Sequence, residues 1–303
     1  MTTKKRILIT GSNRSGSTWV GKVVASNSTV DNIIEPLNLN RINRYKRVQL
    51  DHWYPRVNEE TPEEVKKEIR SIMKYYLNAT YWTAFTQLFS SYEGHNLSKS
   101  LRKRLRRAGR PVKMVKDPTA LFCVPWLVNE YNIHPVVLIR HPAAYVLSIK
   151  QKNWWFDFDH ILKQPGFFTG ELADLKDEVV TFKRSEKQRD IVENAALMWK
   201  VFYTQVAHYR SIYPEWYYVT HEELSTDPLS GFEKMFSYLG LTFTEMTERF
   251  ITDSTTASSN TAGKHKRDAK ANARKWIDEL NSKEKETIYK IAGPISDLFY
   301  ENF

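Results

Sequence analysis

Residues Ile7 to Trp19 read ILITGSNRSGSTW. A short apolar run gives way to a Gly/Ser-rich turn and then to residues that begin a helix. That order dictates a buried strand whose end curls successive backbone N–H groups into an anion cradle, with a helix N-terminus aimed at the same point. The spacing from Gly11 through Gly16 to Thr18 fits the Walker A pattern at every place but one. Ser17 stands where a nucleoside triphosphatase needs lysine to hold the β- and γ-phosphates. The nearest basic side chain is Arg14, inside the loop. The loop is therefore expected to hold an anion, but not as an ATPase holds one.

Other segments repeat the strand-then-helix order. Ile7 to Thr10 reads as a first strand and Ser17 to Ser26 as the helix after the loop, and a second connection carries Ile33, Ile34, Glu35 and Pro36. Short apolar runs recur at Val112 to Val115, Pro135 to Ile139 and Trp216 to Val219, with helical patterns at Ala143 to Ile149, Ile191 to Tyr213 and Gly231 to Leu239. Thr61-Pro62-Glu63-Glu64 has the make-up of a helix start, a cap followed by proline and acids, and Val65, Ile69, Ile72, Met73 and Tyr76 then recur at helical spacing. Strands alternating with helices predict an α/β fold with a parallel sheet covered on both faces. No repeat or low-complexity linker divides the chain. One domain over residues 1–303 is expected, with insertions at about 40–110 and 150–190.

The formal charge is +10 and the isoelectric point near 9.4. Such a field attracts polyanions without choosing among nucleic acid, acidic lipid, sulfated glycan and phosphorylated cofactor. Cys123 is the only cysteine, which rules out an intramolecular disulfide and suits a reducing compartment. No segment reads as a secretory signal or membrane span, so a cytoplasmic protein is expected.

In a parallel α/β sheet, ligands bind beyond the carboxyl ends of the strands. Arg14, Glu35, Lys116 and Arg140 each follow an apolar run and fall at that rim. Three cations and one carboxylate suit a highly anionic ligand beside a general base. Ser148 lies eight positions after Arg140, about two helical turns on, where its hydroxyl and the guanidinium fork could share one phosphate.

These segments resemble the sulfotransferases that use 3′-phosphoadenosine 5′-phosphosulfate (PAPS). Arg14-Ser15-Gly16-Ser17-Thr18-Trp19 is similar to the family's strand–loop–helix, and Arg140 with Ser148 to its second signature. TyrTyrValThrHisGluGluLeuSerThrAspPro at 217–228, Gly240-Leu241 and ArgLysTrp…Leu at 274–280 are softer matches. The resemblance implies a P-loop-like sheet with PAPS as donor, its bisphosphate PAP as product, and no metal. It implies that Arg14, Ser15, Gly16, Ser17 and Thr18 hold the 5′-phosphosulfate and that Trp19 stacks near the adenine, the competing reading of Trp19 being a buried helix-face aromatic. Arg140 and Ser148 would bind the 3′-phosphate, and Lys116 would stand beside the transferring sulfonate. Relatives acting on phenols and steroids place a histidine two residues after that lysine, where this chain has Pro118. Carbohydrate-type and several bacterial relatives carry a Glu-Pro pair after the second strand, matched by Glu35-Pro36. Glu35 is therefore expected as the base, with His141 and His52 as fallbacks and a solvated turn as the alternative for Glu-Pro.

The ArgLysGly segment that closes over the 3′-phosphate in the phenol and steroid enzymes has no counterpart here. The basic run with Lys264 and Arg267 falls in about the right place. The basic stretch 98–107 reads as a solvated helix face, or as a glycan or nucleic-acid patch. The aromatic run at 153–159, with Phe167 and Phe168, reads as a wall of the acceptor pocket or as core. The expected acceptor is a hydroxyl on a small molecule or carbohydrate, with no nucleic-acid partner. Rival readings are a P-loop kinase, a polyanion-binding protein, and a PAP-binding protein without turnover. The kinase would need a lysine where Ser17 stands, and a convincing Walker B acid that the sequence does not offer.

Overall fold

The computed structural model describes residues 5–42, 50–77, 109–185, 190–255 and 269–301. Five strands form one sheet: β1 (Arg6–Gly11), β2 (Val30–Ile34), β3 (Val112–Lys116), β4 (Ile133–Ile139) and β5 (Tyr217–Thr220). Their spatial order is β2-β3-β1-β4-β5 and every pairing is parallel. The phosphate-loop strand is thus central, and the ends of β3 and β4 flank the loop it feeds.

Side-chain alternation along these strands divides the core into two layers. Ile7, Ile9, Val30, Met114, Val136 and Leu138 face one layer. It is closed by α1 (Ser17–Val24) and, later in the chain, by α8 (Pro228–Tyr238) and α9 (Glu245–Thr255). Leu8, Ile33, Val115, Val137 and Ile139 face the other. There they meet α3 (Val124–Tyr131), α4 (Pro142–Lys150) and the 22-residue α6 (Ile191–Ile212). Each fully buried side chain of valine or leucine size contributes about 1.5–3 kcal/mol. The two layers together outweigh a charged pair inside the sheet, Lys113 with Asp31 at 3.2 Å. Those two residues are register partners on β3 and β2, so the charges neutralise one another in place.

Further helices are α2 (Glu63–Leu77), α5 (Leu175–Arg184), α7 (His221–Thr226), α10 (Ala269–Arg274) and α11 (Ser282–Ser296). Caps set several boundaries. The Asp190 carboxylate accepts from the Val192 and Glu193 amides at the start of α6, and Thr220 forms a capping box with Glu223 on α7. Thr61 does not cap α2 as its sequence context predicts. Its hydroxyl accepts from the Asn58 amide and donates to the Arg56 carbonyl, closing the preceding turn. Strand β4 begins two residues before the expected Pro135. The proline is tolerated because β4 has only β1 beside it there; β5 joins from Val136.

Candidate active site

The sequence from Gly11 to Gly16 forms a loop between β1 and α1 that only an unusual backbone can make. Gly11 has φ 142°, Gly16 φ 93°, and Arg14 adopts the left-handed region at φ 66°. A Cβ on Gly16 would collide with the His221 ring, so that position needs glycine for both conformation and space. Ser12 is buried and its hydroxyl bonds the Tyr203 hydroxyl at 2.8 Å. The Tyr203 oxygen in turn accepts the Arg140 amide at 3.1 Å, tying the loop to the end of β4. The Ser15 hydroxyl is buried with no hydrogen-bond partner among the described residues. A buried hydroxyl left this way is stabilised by whatever acceptor enters the loop.

Arg14, Arg140 and Ser148 converge at one site. The Arg14 guanidinium donates through Nε to the Ser148 hydroxyl at 2.8 Å, and Arg140 donates to the Arg14 carbonyl. They line one cavity of about 900 Å³ with Gly16, Ser17 and Thr18. Lys275 joins them from the tail segment at 274–280, and Trp19 forms part of the wall. Trp19 meets Phe232 edge-on at 5.1 Å and donates to the Ser254 hydroxyl at 3.1 Å. One edge of Trp19 is thus packed while the residue also borders the cavity. Lys264 and Arg267 lie outside the described residues, as do 98–107.

Glu35 and Lys116 meet at the ends of neighbouring strands, where β2 and β3 run out. Their side chains form an ion pair, and the Glu35 amide donates to the Lys116 carbonyl at 2.8 Å. Lys116 is buried, and a Cβ on Gly21 of α1 would come within 3.0 Å of its stem. The lysine is thus held between the phosphate-loop helix and the carboxylate. Glu35 has φ 50°, a conformation that costs of order 1–3 kcal/mol for a residue with a side chain. Its second carboxylate oxygen accepts from the Asn38 amide group at 2.9 Å. These bonds hold the turn, with the Glu35 side chain partly exposed.

The chain's sequence profile agrees with this geometry. Residues 6–245 match the profile described as "Sulfotransferase family". The chain belongs to the sulfotransferase family. Among solved structures, it is similar to the sulfotransferase domain from the curacin biosynthetic pathway, at 17% identity and a TM-score of 0.50 over 96% of this chain and 97% of that one. It is similar also to the sulfotransferase domain of the Synechococcus PCC 7002 olefin synthase, at 14% identity and 0.49 over 98% and 97%. Mouse sulfotransferase SULT7A1, solved in complex with PAP, aligns at 10% identity and 0.45 over 98% and 89%. At these identities the curacin likeness speaks to the fold. The sequence has no significant match among curated proteins.

Two histidines of this sulfotransferase are neutral by burial. His221, the first residue after β5, lines the cavity against Gly16; desolvation and then the Arg140 charge lower its pKa to about 3. The sequence motif at 217–228 contains it but gives it no place in the site. The available signal was its position at the carboxyl edge of a strand. His141, a fallback base, is instead stacked on Trp276 with ring centroids 4.5 Å apart, caps Ala143, and is pushed down to about 4 by burial. His52 pairs edge-on with His160 at 6.1 Å. Both neutral histidines become protonated more readily in the unfolded chain, so their contribution to stability is full above pH 6.5 and falls as pH drops from there toward 4. The expected slope is at most about 1.4 kcal/mol per pH unit for each histidine. Thermal melts between pH 7.5 and 4.5 check this, and a His141→Gln, His221→Gln double variant should flatten the curve.

The aromatic run after α4 divides in two. Phe158 and Phe167 are core residues with Phe156 and Phe168 packed on them, whereas Trp154 and Trp155 are 47% and 46% exposed. Trp154 lies under the Arg14 guanidinium, 5.6 Å from its ring centroid. Trp155 to Phe158 line a second cavity of about 310 Å³ with Phe182 and Lys183 of α5. No helix among the described residues is long and apolar enough to cross a membrane.

Proposed function

We propose that this sulfotransferase moves a sulfonate from PAPS to a hydroxyl of a small-molecule or carbohydrate acceptor, with Glu35 as general base. The observation that carries the reading is the ion pair of Glu35 with Lys116 directly behind the phosphate-loop helix. The acceptor oxygen attacks sulfur in line as Glu35 takes its proton. The O–S bond forms while the bond from sulfur to the 5′-phosphate oxygen breaks, and PAP leaves with that electron pair. The loop amides and Ser15 would hold the 5′-phosphosulfate, and Arg140 and Ser148 the 3′-phosphate. Lys116 and Arg14 would stabilise charge developing on the equatorial and bridging oxygens, in a pre-arranged and largely buried setting. Trp154, flat and half-exposed beside Arg14, offers an acceptor ring a stacking face.

A kinase would need an acid free to hold magnesium near the loop. Asp117 follows β3 at that place, but its oxygens are committed to the Leu37 amide at 2.7 Å and to Thr119. Calorimetry with PAP and with ATP–Mg²⁺, followed by ³⁵S transfer from labelled PAPS to a panel of phenols, alkanols and sugars, tests the assignment. Tight PAP binding and a labelled organic product are expected. Preference for ATP–Mg²⁺ would return the kinase to first place, and PAP binding with no labelled product from any acceptor would point to a non-catalytic binder.

A further inference from the structure

We propose that Asp117 is a positioning residue that holds the Glu35 turn in its catalytic geometry. The inference rests on Glu35 being the base. Asp117 is fully buried just beyond the end of β3. Its amide donates to the Ile9 carbonyl at 2.9 Å, and its carbonyl accepts from the Thr10 hydroxyl at 2.9 Å, fixing it to the last residues of β1 before the phosphate loop. One carboxylate oxygen accepts from the Thr119 amide at 2.9 Å and hydroxyl at 2.6 Å. The other accepts from the Leu37 amide at 2.7 Å, two residues beyond Glu35.

That last bond explains how Glu35 keeps its left-handed backbone. The turn is pinned on both sides, by the Lys116 carbonyl at Glu35 itself and by Asp117 at Leu37. An asparagine would satisfy Thr119 equally well, because a neutral carbonyl oxygen also accepts there. A buried carboxylate is the more expensive choice, and it places a second negative charge near Glu35. Burial above all, with the Glu35 charge adding to it, pushes the Asp117 carboxyl up to about 6. Glu35, Tyr54 and Cys123 are the titratable groups that feel Asp117, and Lys116 is the ion-pair partner of Glu35.

The test uses the full chain and release of ³⁵S-sulfate from PAPS, with water in place of the unidentified acceptor. Asp117→Asn should lower that rate by about 10–100-fold, the scale of a misplaced catalytic group. PAP affinity by calorimetry should stay within about threefold, so that the loss falls on the rate and not on donor binding. Thr119→Val removes a bond to the same carboxylate without touching the Leu37 contact, and should keep its rate while losing comparable thermal stability. Asp117→Ser provides a smaller variant that leaves room for water. The proposal is overturned if Asp117→Asn keeps its rate, if rate and PAP affinity fall together, or if neither Asp117 variant folds to a PAP-binding state. Glu35→Gln run alongside separates the two ideas: a rate that survives there removes the base assignment itself, whereas its loss beside an unaffected Asp117→Asn removes only the positioning role.

Discussion

Glu35→Gln is expected to lower sulfonate transfer by about 10²–10⁴-fold while leaving PAP affinity unchanged. Glutamine has the shape of glutamate and can still accept from the Asn38 side chain, so the turn after β2 should persist. What disappears is the site proposed to receive the acceptor's proton, together with the charge that holds the Lys116 ammonium in place. The donor cavity is lined by the loop, Arg140, Ser148 and Trp19, and Glu35 is absent from that lining. Binding and rate should therefore separate. The acid limb of the rate–pH profile should vanish with the carboxylate. A Glu35→Gln enzyme within about threefold of the parent would move the base elsewhere, and His52 would be the first residue to test.

The double variant Arg140→Ala, Ser148→Ala should bind PAP about 10²–10³-fold more weakly. Hydrogen bonds to charged groups contribute roughly 1.5–3 kcal/mol each, and about 1.4 kcal/mol is a factor of ten. The Arg140 side chain also donates to the Arg14 carbonyl, so its loss loosens the loop as well. Adenosine 5′-phosphate, which lacks the 3′-phosphate, isolates the effect. The parent enzyme should prefer PAP over it strongly, and the double variant should bind both alike. Ser148→Ala alone leaves both arginines in place and should show a smaller part of the same loss. Unchanged discrimination between the two nucleotides in the double variant would place the 3′-phosphate elsewhere, with Lys22 and Lys275, both on the cavity wall, the next to test.

Much of this was legible along the chain because it depends on neighbours in sequence. Two-sided burial forces an apolar run with little alternation, so β1, β3 and β4 stand out even though β3 carries two lysines. The phosphate loop is legible because left-handed turns and close approaches demand glycine at Gly11 and Gly16. Arg140 and Ser148 stand out because eight positions span about two helical turns, although α4 itself begins only at Pro142. Boundaries were less so: α8 starts at Pro228, capped by Asp227, three residues before its hydrophobic pattern begins.

The order of the strands and the pairings across it were not legible. Glu35 and Lys116 are separated by 81 positions, and Leu37 and Asp117 by 80. Only the placement of β2 beside β3 brings these groups together. The same is true of His221 against Gly16, of His141 beneath Trp276, and of the division of the aromatic run into core phenylalanines and exposed tryptophans. Local sequence determined the strand, the loop, the helix and the residue types that sulfonate chemistry needs. Tertiary structure decided which carboxylate faces which cation and which histidine is kept neutral. Contacts between distant segments depend on how the whole core closes, and desolvation acts on a group only after that core has formed.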